Sequence, residues 1–296
     1  MTAELTFAPL PSRALIAVGG PAWRDFLQNL LTQDVASLAP GEARFGALLT
    51  PQGRLLHDMI ILGREDGCRL DVEAAQRKAL IQRLAIYRLR AKVEIAAAEV
   101  PVAAAFSSAH SGAGGNPNGG SSAADSAWAP AFAGVSGSWV RDPRLGELGW
   151  RGYAAAAPDG AAIGTEADYD AHRLALGVPG PADWGSDKTY PIEADFDLLN
   201  GIDFQKGCFV GQETTSRMKR RGQVKSRMLP IAFEGAPPAF GAELLAGERR
   251  AGEVLSGGEG RAMALVRLDR IEGAALSVDG RSVQVERPPW LHRRDA

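Results

Sequence analysis

The residue best placed for chemistry in this chain is Cys208, within the run Lys206-Gly207-Cys208-Phe209-Val210-Gly211-Gln212-Glu213. Gly207 and Gly211 bracket the cysteine, which predicts a tight backbone path delivering the thiol to a helix that begins near Gly211 or Gln212. A cysteine there meets unpaired helix N–H groups and, with Lys206 close in sequence, a positive local potential. Both favour the thiolate and hence reactivity. Gln212 and Glu213 are placed to cap the first turn, and Arg217 is spaced to pair with Glu213 along the helix. The competing reading of a lone cysteine is a small buried hydrophobe.

The chain has two cysteines, Cys68 and Cys208. That provides neither a disulfide framework nor the set of thiolates that holds an iron–sulfur cluster, so no metal site is expected within the chain and any cluster chemistry needs a partner. Beyond the cysteine run, Lys219, Arg220, Arg221, Lys225 and Arg227 make the strongest local positive stretch. A nucleic-acid module would interleave aromatics there, and a formal charge of -2 over 296 residues provides no broad cationic field. An anionic ligand tail or an acidic partner surface suits the stretch, as does a plain solvated helix flank. No apolar run is long enough to span a bilayer, and the start lacks a basic segment followed by an apolar stretch, which leads to the expectation of a cytoplasmic protein.

Several elements must position these residues. Residues 12–18 read as a strand, and Pro21 opens a helix whose apolar face carries Trp23, Phe26, Leu27, Leu30 and Leu31. Residues 45–49, 55–62 and 68–72, separated by turn signals, read as an antiparallel meander, followed by a helix over about 74–89 with Leu80, Leu84 and Tyr87 inward. The Gly-, Ser- and Ala-rich stretch 107–127 is expected to be a flexible surface loop. A strand over 151–155 and a helix over 167–176 follow, and from Met228 short β-like runs between glycine turns predict a small barrel or sandwich. The whole reads as α+β.

The motif adds a family likeness. Lys206, Gly207, Cys208, Phe209, Gly211, Gln212, Glu213 and Arg217 match K-G-C-[YF]-x-G-Q-E with its following arginine, and Pro191, Glu193, Leu199, Asn200 and Gly201 match the lead-in P-x-E-x-x-x-x-x-L-N-G. Weaker likeness runs through residues 26–35 (FLQNLLTQDV), Pro51-Gln52-Gly53, Asp142-Pro143-Arg144 and residues 251–256. On these residues the chain resembles the mitochondrial-type branch of the YgfZ family of folate-binding iron–sulfur assembly factors. The resemblance implies a fold like the glycine-cleavage aminomethyltransferase T-protein, multi-domain around a central channel, with residues 1–227 forming two intertwined folate-binding subdomains and residues 228–296 a C-terminal β-barrel. It also implies assembly or repair of [4Fe-4S] clusters in client enzymes, tetrahydrofolate as ligand in plain or polyglutamyl form, and Cys208 as the required residue. Partners would be client enzymes or cluster-assembly proteins, and conventional enzyme turnover is not expected.

The rival reading is a true aminomethyltransferase. T-proteins carry adjacent acids where this chain has His57-Asp58, an R-L-E-A-G segment where it has Arg173-Leu174-Ala175-Leu176-Gly177, and no cysteine in the segment spelled here by residues 206–213. With Ala175 in the place of the ring-reading acid, Asp58 or Glu193 is the substitute acceptor for a pterin. Trp184, in a Pro- and Gly-rich stretch, is the candidate for stacking on its ring, whereas Trp23 reads as core. Lys206, Gly207, Gly211, Gln212, Glu213, Arg217 and Asn200 complete the expected ligand contacts.

Overall fold

The computed structural model describes residues 4–107, 138–222 and 224–292. In chain order the N-terminal elements are β1 (Leu5–Pro9), β2 (Arg13–Gly19), α1 (Trp23–Gln28), β3 (Ala43–Leu49), β4 (Leu55–Arg64), β5 (Gly67–Glu73), α2 (Arg77–Arg88), β6 (Glu94–Ala98) and β7 (Val102–Ser107). Next come β8 (Ser138–Arg141), β9 (Trp150–Tyr153), β10 (Ala162–Ile163), α3 (Glu166–Ala175), α4 (Pro181–Trp184) and α5 (Gln212–Arg221). The C-terminal part holds β11 (Ser226–Ala232), β12 (Glu243–Ala246), β13 (Arg249–Gly258), β14 (Arg261–Arg267), α6 (Leu268–Ile271), β15 (Leu276–Val278) and β16 (Arg281–Val285). The stretch expected to be a flexible loop lies outside the described residues, apart from Ser107, which ends β7.

The strands make a five-stranded sheet in the order β10-β1-β7-β9-β8, a second in the order β3-β4-β5-β2-β6, and a closed barrel of β11-β14-β13-β12-β15-β16. The expected meander is β3-β4-β5, antiparallel throughout. Its centre, β4, is apolar on both faces because each face covers a different core. Met59 and Ile61 pack with α1 and α2, while Ile60 and Leu62 point to the segments on the other side. Helix α3 starts on a capping box between Thr165 and Asp168, which fixes its first turn.

One expected element is shorter than its pattern. The apolar spacing carries a helix to Leu31, yet α1 ends at Gln28, and Leu31 instead forms an isolated bridge with Leu48 of β3. The chain turned out of the helix there exposes carbonyls that a distant lysine uses. The residues between α4 and α5 form no regular element but are well packed: Ile192, Ala194 and Phe196 fill a core with Phe45, Leu55 and the barrel residues Met228 and Met263.

Candidate functional site

The helix predicted after Cys208 is α5, and its N-cap is Gly211 in the left-handed region at φ 80°. Two constraints require glycine here. A Cβ at Gly211 would stand 2.5 Å from the Thr50 carbonyl oxygen and 2.9 Å from Gly53 Cα. Gly53, at φ 85° in the β3–β4 turn, would meet Gly211 O and Thr214 Cβ, each at 2.9 Å. The turn and the start of the helix thus touch backbone to backbone. Gln212 closes the loop, its Oε1 accepting from the Phe209 N–H (3.3 Å) and its own N–H donating to Phe209 O (3.2 Å). Phe209 is buried, whereas Gly207 and Cys208 are exposed, and a Cβ at Gly207 would meet nothing. Cys208 is free and stands on the surface.

Lys206 is not beside the thiol as a free cation. Its Nζ donates to the carbonyls of Gln28 (2.6 Å), Leu31 (2.6 Å) and Gln33 (3.0 Å), which occupies all three ammonium protons. Burial pulls its pKa down to about 8, so the ammonium is still charged at neutral pH. The same segment holds the lead-in. Thr32 Oγ1 donates to Gly201 O (2.6 Å), the Asp203 N–H donates to Thr32 O (2.9 Å), and Gln33 Nε2 donates to Asn200 O (2.7 Å). Residues 28–33 therefore clamp residues 200–206, and the thiol stands just past the clamp.

Along α5, Thr214, Arg217, Met218 and Arg221 share one helical face. With Tyr190, Glu193, Val224, Lys225 and Ser226 they line a cleft of about 700 Å³. Glu193 accepts from the Tyr190 N–H (3.1 Å), and burial raises its pKa against the pull of that bond and of Arg54. The cleft thus joins three cations to one carboxyl that takes up a proton more readily than an ordinary glutamate. Arg217, Glu193, Arg221 and Lys225 are legible in the sequence by their charge and motif. Tyr190, Thr214 and Met218 carry no chemical signature there, although Thr214 and Met218 stand at helical spacing around Arg217.

Other expected contacts stand elsewhere. Trp184 is 5% exposed and packs edge-on against Phe196 at 5.3 Å, so neither face is open to a stacking ring. Asp58 is buried within reach of Arg13 Nη1 (3.4 Å), in an ionic network that also contains Asp71, Asp142, Arg144 and Arg151. Asn200, at φ 58°, donates to Pro143 O (3.1 Å) and joins the lead-in to the Asp142-Pro143-Arg144 loop. Glu213 and Arg217 are exposed and form no ion pair with each other. Arg227 is no surface cation: it is buried between Asp195 (2.7 Å) and Asp197 (3.0 Å). Lys219 lies 4.4 Å over the Phe204 ring. Ala175 is exposed at the end of α3. Among the described residues, no group of three or more His, Cys, Asp or Glu side chains converges to hold a metal ion.

Residues 225–293 match the CAF17 C-terminal β-barrel domain. The human mitochondrial iron–sulfur cluster assembly factor IBA57 is 31% identical over 288 residues, covering 89% of this chain and 78% of its own length. This chain belongs to the IBA57 family. Mitochondrial IBA57 homologues of Neurospora crassa (32% over 254 residues) and Phaeosphaeria nodorum (35% over 246 residues) cover 79% and 76% of this chain. The chain spans 55% of the length of each of these fungal proteins. These relatives carry the IBA57 name and not the YgfZ name.

The mitochondrial naming of all three corrects the expectation of a cytoplasmic protein. The features behind that expectation, no bilayer-length apolar run and no basic-then-apolar start, do not separate one aqueous compartment from another. Among solved structures, the glycine cleavage system aminomethyltransferase T of Bartonella henselae superposes with a TM-score of 0.72 at 23% identity, over 99% of this chain and 88% of that one. IBA57-family membership thus goes with the expected fold class, an aminomethyltransferase-like mixture of helix and sheet with a closed C-terminal barrel.

Proposed function

We propose that this chain is an accessory factor for the assembly or repair of [4Fe-4S] clusters in client enzymes, acting through Cys208, with tetrahydrofolate bound in the cleft beside α5. The observation that carries the reading is the presentation of the thiol. Lys206, Thr32 and the Gly211–Gly53 contact hold the loop from three sides, while Cys208 itself is exposed and unpaired. A cluster takes about four thiolates, so one from this chain leaves the remainder to a partner or client protein. Cys208 would hold iron of the cluster through its deprotonated Sγ.

The cleft supports the folate part of the reading. Its roughly 700 Å³ falls within the range of small-molecule sites, about 300–1,000 Å³. Arg217, Arg221 and Lys225 would hold the carboxylates of a glutamyl tail, and Glu193 would accept from ring N–H groups. When bound, tetrahydrofolate supplies a reduced pterin that carries one-carbon units. The likeness to the aminomethyltransferase, at 23% identity, concerns the fold alone.

The test is complementation of cells lacking their own family member, read as the activity of a [4Fe-4S] enzyme. The parent chain restores activity and Cys208→Ser restores none, although it purifies with an unchanged melting temperature. Full restoration by the variant overturns the role of the thiol. Calorimetry with tetrahydrofolate, bare and polyglutamylated, tests the cleft. Added glutamates tighten binding to the parent and not to an Arg221→Gln/Lys225→Gln double variant. Equal affinities for both forms remove the tail from the cleft, and formation of ammonia and methylene-folate in a complete glycine-cleavage assay would replace the proposal with aminomethyl transfer.

A further inference from the structure

Helix α2 and the residues just after it carry Arg77, Lys78, Arg83, Arg88, Arg90 and Lys92 and no acidic residue, in a chain whose formal charge is -2. Arg77 pairs with Glu99 at 3.0 Å. Lys78, Arg83, Arg88, Arg90 and Lys92 are exposed, and among the described residues none of them is in an ion pair. Two large apolar side chains stand in the middle of this charge, Ile86 at 73% and Leu89 at 87% exposed. Leu89 also adopts φ 46°, ψ -108°, a region that glycine enters freely and a leucine enters under strain. A strained leucine that packs on nothing gains no stability from its place in the isolated chain. Strain of this kind persists where a surface is built for something else.

The position of α2 adds direction. Its inner residues Leu80 and Leu84 share one core with Trp23 and Leu27 of α1 and with Val210 of the cysteine loop. The helix, α1 and that loop therefore cover the same face of the β3-β4-β5-β2-β6 sheet. We infer that α2 and the turn after it are the docking surface for a partner protein that presents acidic side chains around an apolar recess receiving Ile86 and Leu89. The arrangement of apolar anchors inside a charged rim is that of a protein interface. A membrane-surface helix would turn a broad apolar stripe outward, whereas the stripe of α2 is used on its own core. A single-strand nucleic-acid site would interleave aromatic platforms, and Tyr87, the aromatic residue of α2, is packed against that same core. The inference deepens the proposed function, since a protein docked on α2 lies on the face that carries Cys208.

The experiment places a photo-crosslinking amino acid at position 86, at 89, or at the control position Ile163, which is 72% exposed on β10. The expected result is a discrete acidic protein captured through 86 and 89 and not through 163. That protein, purified, is the probe for titration. Ile86→Ser/Leu89→Ser and Arg83→Glu/Arg88→Glu each weaken its binding tenfold or more, and binding to the parent falls steeply with salt. Leu89→Gly weakens binding while raising the melting temperature, which separates a docking role from a folding one. Cys208→Ser binds the cluster-free probe as the parent does, so a failure of docking and a failure of the cysteine reading give different results. Equal capture at position 163, affinity unchanged in the α2 variants, or loss in those variants of binding to anionic vesicles or RNA instead of protein would each overturn the inference.

Discussion

The two cysteines of the chain differ by environment rather than by chemistry. Burial pushes the Cys68 thiol up to about 12, in the core between β5 and α1, while Cys208 is exposed beside Gly207, where an added Cβ would meet open space. The thiolate is the reacting form, so a disulfide reagent at pH 8 should consume one thiol in the native protein and two in denaturant. Rapid reaction of both in the native state would show that the Cys68 core opens readily. Replacing Cys208 by serine removes an exposed side chain and should shift stability by no more than about 0.5 kcal/mol. A loss of function in that variant then belongs to the sulfur.

At the scale of elements, the thiol depends on how α5 meets the β3–β4 turn. Gly211→Ala puts a methyl group against the Thr50 carbonyl and forces alanine to φ 80°, which should cost about 2 kcal/mol or more, whereas Gly207→Ala meets open space and should be nearly neutral. Equal melting temperatures for the two variants would refute this account of the glycines. The meander, α5 and the barrel strands were readable because their apolar periods and turn residues agree with the fold. The end of α1 was not, since Leu30 and Leu31 keep helical spacing and a bridge to Leu48 decides against it. In sequence Lys206 reads as a positive potential near the thiol, because the carbonyls it binds have no signature there. Trp184 looked open in its Pro- and Gly-rich stretch and is covered by Phe196, and Arg227 looked like part of a basic run until Asp195 and Asp197 enclosed it.

Over the whole molecule, that last cluster joins the lead-in to the barrel: Arg227 of β11 binds both aspartates and Ile192 O, and the Met228 N–H donates to Glu193 O at 2.8 Å. Two buried acids share one arginine, and Asp195 Oδ2 has no hydrogen-bond partner, so burial pushes its carboxyl up to about 8. A carboxyl raised above its unfolded value of about 3.9 contributes stability that is full below that pH and lost as pH climbs toward the folded value. Asp195→Asn should therefore gain on the parent in melting temperature from pH 5 to pH 8, and parallel curves would contradict this. The clamp at Lys206 has a consequence for how the protein is made. Its ammonium meets the Gln28 carbonyl across 178 positions of sequence, so the carbonyls leave the ribosome long before the lysine that will bind them. Closure of so long a loop comes late, after the local meander and helices have formed. The loop that carries Cys208 is thus held in its folded position only once the two distant segments have met.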